Sequence, residues 1–138
     1  MKRSFRQVNV FSADPLGGNP LAVVHAADGL TEQQMAAFAR WTNLSESAYL
    51  LNPTDDAADY RVRIFTPSGE LPFAGHPTRG SCHVWLAAGG APRDGNVVIR
   101  QDPATIPVSV SAAAGGIRCS LDDMLKWVRM WLDADSRW

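Results

Sequence analysis

The chain lacks any apolar run longer than a few residues, and this removes the membrane-spanning helical classes. It also lacks a block of one charge sign. Net charge is −1 with acids and bases interspersed, which gives no footing for a nucleic-acid or membrane-surface protein. Cysteine is scarce. Cys82 and Cys119 have neither the spacing of a metal site nor the number of a disulfide framework, so two reduced thiols and a cytoplasmic location are expected. Met1-Lys2-Arg3 leads into polar, alternating sequence rather than an apolar segment, so no signal peptide is expected. No Ser-x-x-Lys occurs, which removes one class of serine hydrolase. No repeat or low-complexity segment is present. What remains is 138 residues, 46% apolar and 20% charged, enough for one domain with a real core.

The pattern along that domain is mixed. Phe5 to Phe11 alternates as a strand with Val8 and Val10 on one face. Asp14 to Pro20 is a dense set of turn formers. Its Gly17-Gly18-Asn19 could offer N–H groups to an anion, but it lacks the lysine of a phosphate loop, so a plain turn is the simpler reading. Leu21 to His25 is a short strand, with His25 at its end. Thr31 and Gln34 form a capping box for a helix that should end near Asn43, with Met35, Phe38, Ala39 and Thr42 as its buried stripe. Glu46 directly precedes a strand-like run through Leu51. It is either an exposed strand-end acid or a partly desolvated carboxyl suited to proton transfer. Tyr60 to Phe65 alternates, with Arg61 and Arg63 on a solvated face. Asn96 to Gln101 and Ile106 to Ser111 are further strands. The fold class is α+β.

Glu70 to Gly80 organises the rest. It joins a strand to a helix running from about Pro77 to Ala88, and Pro77 suits a first helical turn. Gly75 is expected to take angles closed to other residues, and Gly80 to let another backbone approach. The turn would deliver His76 to a helix start, where free N–H groups and the helix dipole favour an anion. A structural turn that merely contains a histidine fits the spacing equally well. The helix is apolar nearly all the way round, so it is expected to be buried with sheet wrapped about it, and His83 is expected to be a core histidine.

Several ordered segments carry a resemblance: Val10-Phe11, Gly18 to Val24, Asn43-Leu44-Ser45-Glu46-Ser47, Arg63 to Pro67, and Glu70 to Thr78. Together, from about Val8 to Val110, they resemble the N-terminal half of the PhzF-like (phenazine biosynthesis) isomerases. The resemblance implies one half of a diaminopimelate-epimerase-like fold, a sheet wrapped round a central helix, with the active site in a cleft between two such halves. It implies that Glu46 is the acid/base carboxylate and His76 the motif histidine beside the substrate. Asn19, Ser45, Gly75, Pro77 and Thr78 would bind a small carboxylate-bearing substrate. No metal, pyridoxal phosphate or other cofactor is implied.

The family is about twice this length, and its second half supplies the opposite wall of the cleft. Asp102-Pro103-Ala104-Thr105 echoes a motif of that half, but Ile106-Pro107 follows where Gly-Ser is expected. From Ala112 the character changes. Ala114 to Ile117 and Ser120 to Trp127 resemble a short segment of the serine beta-lactamase and D-aminopeptidase-like hydrolases. An amphipathic helix is expected there, carrying Leu121, Met124, Leu125, Val128, Trp131 and Leu132 on one stripe. The expected division is therefore a PhzF-like domain over 1–111 and an unrelated helical tail over 112–138, joined by fusion or truncation. Two functions follow from it: a truncated isomerase whose cleft is completed by a second copy, or a non-catalytic module that binds a small anion or a protein.

Overall fold

A computed structural model describes residues 2–14, 16–54, 56–92, 96–101, 104–111 and 116–118. Among these residues, eight strands form one sheet. They are β1 (Phe5–Val10), β2 (Asn19–Val24), β3 (Ser47–Leu51), β4 (Tyr60–Thr66), β5 (Gly69–Leu71), β6 (Asn96–Gln101), β7 (Ala104–Ser111) and β8 (Gly116–Arg118). Their order is β1-β2-β3-β4-β6-β7-β8, with β5 paired to the far end of β4. Helix α1 (Glu32–Thr42) links the parallel pair β2 and β3, and helix α2 (Gly75–Ala87) links β5 to β6.

Helix α2 touches β1, β2, β3 and β4 and also β8, the opposite end of the strand order. A sheet whose two ends both meet one helix is curled about it, as the sequence leads one to expect. The inward-facing residues pack on α2 as one core: Val10, Leu21, Val23, Ala48, Leu50, Tyr60, Val62 and Ile64 with Cys82 and Val84. The outer face of the same strands carries a second core under α1, with Tyr49 and Phe65 against Met35 and Ala39. Strand β3 is therefore covered on both faces, which is why it reads as an unbroken apolar run rather than an alternating one.

Local chemistry explains most boundaries. Thr31 Oγ1 accepts from the Gln34 N–H (3.2 Å) while Gln34 Oε1 accepts from the Thr31 N–H (2.9 Å), so the capping box forms. Asn43, at φ 52°, ends α1 in the left-handed conformation. Strand β5 overlaps the start of the stretch read from sequence as a turn. Thr66 Oγ1 accepts from the Ser68 and Gly69 N–H groups and folds it back on β4. Strand β8 is also additional, pairing antiparallel with β7 beyond residue 111. Each has only three residues, too few to show alternation. The expected C-terminal helix, begun at Ser120 and carrying the stripe from Leu121 to Leu132, falls outside the described residues.

Two expectations change. His83 is exposed, not a core histidine: with the exposed Ala87 four residues on, it marks the stripe of α2 that the curled sheet leaves open. Arg63 does not simply face solvent. Its guanidinium sits over the Phe65 ring and donates to Glu70 Oε1 (2.6 Å) and Glu32 Oε2 (3.0 Å). That ion cluster ties the N-terminus of α1 to the β4–β5 hairpin.

The seat of α2 depends on Gly80. A β-carbon there would collide with the Leu21 side chain and come within 3.0 Å of Val10 Cγ2, so side chains rather than backbone make the close approach. Gly80→Val should destabilise the fold by about 2 kcal/mol or more, because overpacking forces the helix off the sheet. Urea unfolding checks this, and a variant as stable as the parent would contradict it.

Candidate active site

One end of the sheet collects the polar groups. Strands β2 and β3 are parallel, with Ala22 opposite Ser47, so they begin side by side at the same end of the sheet. Asn19 is the first residue of β2, and Ser45 and Glu46 lie just before β3. Ser45 Oγ donates to Asn19 Oδ1 at 3.0 Å, tying the two strand starts together. The N-terminus of α2 arrives at this end and carries His76.

The start of α2 is fixed from beneath and open above. Ala74 is the N-cap, in extended conformation, and has no side chain able to cap. Its carbonyl accepts from the Thr78 N–H (3.2 Å) and from Thr78 Oγ1 (2.8 Å). Gln101 Nε2 in turn donates to Thr78 Oγ1 at 2.6 Å. Thr78 and Gln101 are each 1% exposed, so this small network lies wholly inside. No acidic residue occupies the first turn. The leading N–H groups and the positive end of the helix dipole therefore face outward without a side-chain cap. Gly75 does not use the backbone freedom expected of it, since its φ is not positive. It is an ordinary first helical residue where an added β-carbon would meet nothing within 4 Å, so the helix start stays open to a ligand.

Glu46 and His76 meet here. His76 Nδ1 lies 3.0 Å from Glu46 Oε2, with side chains 7% and 18% exposed. The contact is short but poorly aligned. Glu46 Oε2 and His76 Nε2 are both buried, and neither makes a well-formed hydrogen bond among the described residues. Burial pushes the His76 imidazole below its ordinary 6.5, against the opposing pull of Glu46 and of the Pro20 and Asn19 backbone. A carboxyl and an imidazole in this relation can exchange a proton.

Of the residues singled out from sequence, Asn19, Ser45, Glu46, Gly75 and His76 come together at this end. Pro77 and Thr78, expected to touch the substrate, are buried, and the Thr78 hydroxyl is engaged inward with Ala74 and Gln101. Three neighbours were not singled out from sequence as site residues. Gln101 looks like any strand-end glutamine. Phe11 reads as the last residue of a strand, yet it has φ 74° and its ring centroid lies 6.1 Å from that of His76. Arg79 shares a helix face with Gly75 at i+4 spacing, the one hint available, and its guanidinium lies over the Phe11 ring. Among the described residues, no three His, Cys, Asp or Glu side chains gather as a metal site.

Residues 8–125 match the family described as phenazine biosynthesis-like protein, PhzC-PhzF. The chain belongs to that family. Among curated relatives, the antisense-enhancing sequence 1 protein of Schizosaccharomyces pombe is 52% identical over 88 residues, covering 64% of this chain and 30% of the relative. The trans-2,3-dihydro-3-hydroxyanthranilate isomerase of Pseudomonas aeruginosa is 38% identical over 115 residues, 83% of this chain and 40% of its own. Among solved structures, a PhzF-family protein of Bacillus anthracis superposes with a TM-score of 0.73 at 29% identity, over 84% of this chain and 38% of that one. A hydroxyproline epimerase of Agrobacterium vitis shares the fold alone, at 14% identity and TM-score 0.53 over 72% of this chain and 36% of its own. This PhzF-family chain thus spans less than half the length of each.

The His76 environment sets a pH dependence. A histidine held below its unfolded value of 6.5 is neutral in the folded state, so the unfolded chain binds the extra proton first. Its contribution is complete above about pH 6.5 and is lost as pH falls through the lowered folded value. Unfolding free energy should therefore drop more between about pH 7 and pH 5 in the parent than in His76→Asn, which lacks the titrating group. Denaturant unfolding across that range measures the difference, and parallel curves would contradict it.

Proposed function

We propose that this chain carries one wall of a proton-transfer site, the isomerase chemistry of its family, acting on a small carboxylate-bearing metabolite without a cofactor. The observation that carries this reading is the Glu46–His76 pair, 3.0 Å apart and largely buried, at an uncapped helix start. Glu46 takes a proton from one carbon of the substrate and returns it to another. His76 orients the substrate or relays that proton through its unpartnered Nε2. The substrate carboxylate rests against the Gly75 and His76 N–H groups, where donors and dipole are already aimed, and negative charge developing during proton removal is stabilised there. Asn19 and Ser45 border the same opening. Pro77 and Thr78 serve it from beneath, by holding the helix start.

Because the chain spans 30% to 40% of relatives such as those of S. pombe and P. aeruginosa, the opposite wall is not part of the described residues. The proposal includes little activity as a single copy and a cleft completed by a second copy of the chain. The same short span favours a second reading, in which the domain binds a small anion or a protein without turnover.

The experiment uses the compound named for the P. aeruginosa relative. With trans-2,3-dihydro-3-hydroxyanthranilate in D2O, the parent chain should incorporate deuterium into the isomerised product. Glu46→Gln should lower that rate by about a hundredfold or more with the fold intact by circular dichroism. Light scattering on the same sample should show a dimer. Equal exchange in both proteins would contradict the role of Glu46, and a monomer with no exchange would contradict the isomerase reading.

A further inference from the structure

Phe11 is the least economical residue at this end of the sheet. An aromatic side chain at φ 74° is strained, since the left-handed region crowds its β-carbon against the backbone. The residue is also 64% exposed and so recovers little from burial. Yet the ring is not loose. It lies against the His76 imidazole at 6.1 Å with an interplanar angle of 44°, and the Arg79 guanidinium covers it from 5.5 Å. The ring is thus pinned beside the one imidazole whose buried Nε2 lacks a hydrogen-bond partner among the described residues, near the open space above Gly75. A strained, exposed aromatic at a candidate site points to a contact made only when something is bound.

We propose that Phe11 is a specificity-determining residue of this site, with Arg79 positioning its ring. The inference rests on the anion-binding part of the function proposed above. A carboxylate placed on the N–H groups of Gly75 and His76 directs its neighbouring carbons toward the side on which the Phe11 ring stands. A flat, unsaturated carbon skeleton stacks on that ring, whereas a puckered, saturated one of the same size and charge meets it with fewer contacts. The carboxylate subsite then supplies binding common to all small acids, and Phe11 supplies the discrimination among them. Arg79 acts through the ring, by fixing its orientation.

The test compares benzoate with cyclohexanecarboxylate, which have the same charge and similar size but differ in flatness, by NMR titration of the Gly75 and His76 amides. Acetate is the control for the carboxylate subsite alone. The parent chain should bind benzoate about three- to tenfold more tightly than cyclohexanecarboxylate. Phe11→Leu and Phe11→Gly should lose that preference while acetate affinity is unchanged. Arg79→Met should reduce the preference with the same acetate affinity. Phe11→Gly should also be at least as stable to heat as the parent, since glycine relieves the φ 74° strain. A ring that merely supported the fold would instead lower stability and acetate binding together when removed, and that result would overturn the proposal. Equal affinity for the two ring acids in the parent would overturn it while leaving the carboxylate subsite standing. No amide shift with any of the three acids would overturn both. Failure of deuterium exchange with the ring preference intact would remove only the isomerase reading.

Discussion

Helix α2 lies as close as it does to β1 and β2 because Gly80 presents no side chain to Leu21 and Val10. The remaining geometry of the site follows from that contact. One turn before Gly80 the helix delivers His76 to the Asn19–Pro20 backbone, at the point where β2 begins. The parallel pairing of β2 and β3 brings Glu46 to the same point. A helix set farther out would leave its first turn short of Glu46, and the imidazole and carboxylate would each return to water. The inner core from Val10 to Ile99 is what makes the close seat favourable.

Three departures from ordinary stabilising practice gather around that turn. Ala74 caps the helix without a side-chain acceptor, His76 buries a ring nitrogen without a well-formed partner, and Phe11 holds a strained backbone with its ring in solvent. Each is unfavourable by itself, and stable proteins concentrate such features where a ligand resolves them. Helix α1 is conventional by comparison. Thr31 and Gln34 cap it, Asn43 closes it, and Arg63 is held by Glu70 and Glu32. Ordinary support for the unusual turn comes from within, through the Thr78–Gln101 hydrogen bond that anchors the helix start to β6.

Much of this is legible in the residues. The capping box at Thr31, the alternation of Tyr60, Val62 and Ile64, and the segments around Glu46 and His76 each carry a local or ordered signal that survives folding. Periodicity misplaces what depends on the curvature of the sheet. His83 lies on an apolar helix, but the curled sheet leaves its stripe uncovered, and no sequence pattern reports where two sheet ends stop. Gly75 does not use the turn conformation its neighbours suggest; its value is the open space above it. The contacts of Phe11, Arg79 and Gln101 are not legible in the sequence, because the partners lie 65, 68 and 23 residues away in the chain. Pairings of that range arise only from the packed fold.

The site stands or falls with His76 and Glu46 as a buried, electrostatically linked pair. Titration of the His76 ring nitrogens by 15N NMR, in the parent and in Glu46→Gln, reads that link. The His76 midpoint should lie below 6.5 in the parent, because burial outweighs the carboxylate. It should drop further in Glu46→Gln, because the opposing negative charge is gone. A midpoint at or above 6.5 that does not move with Glu46→Gln would show that the two groups are not so linked.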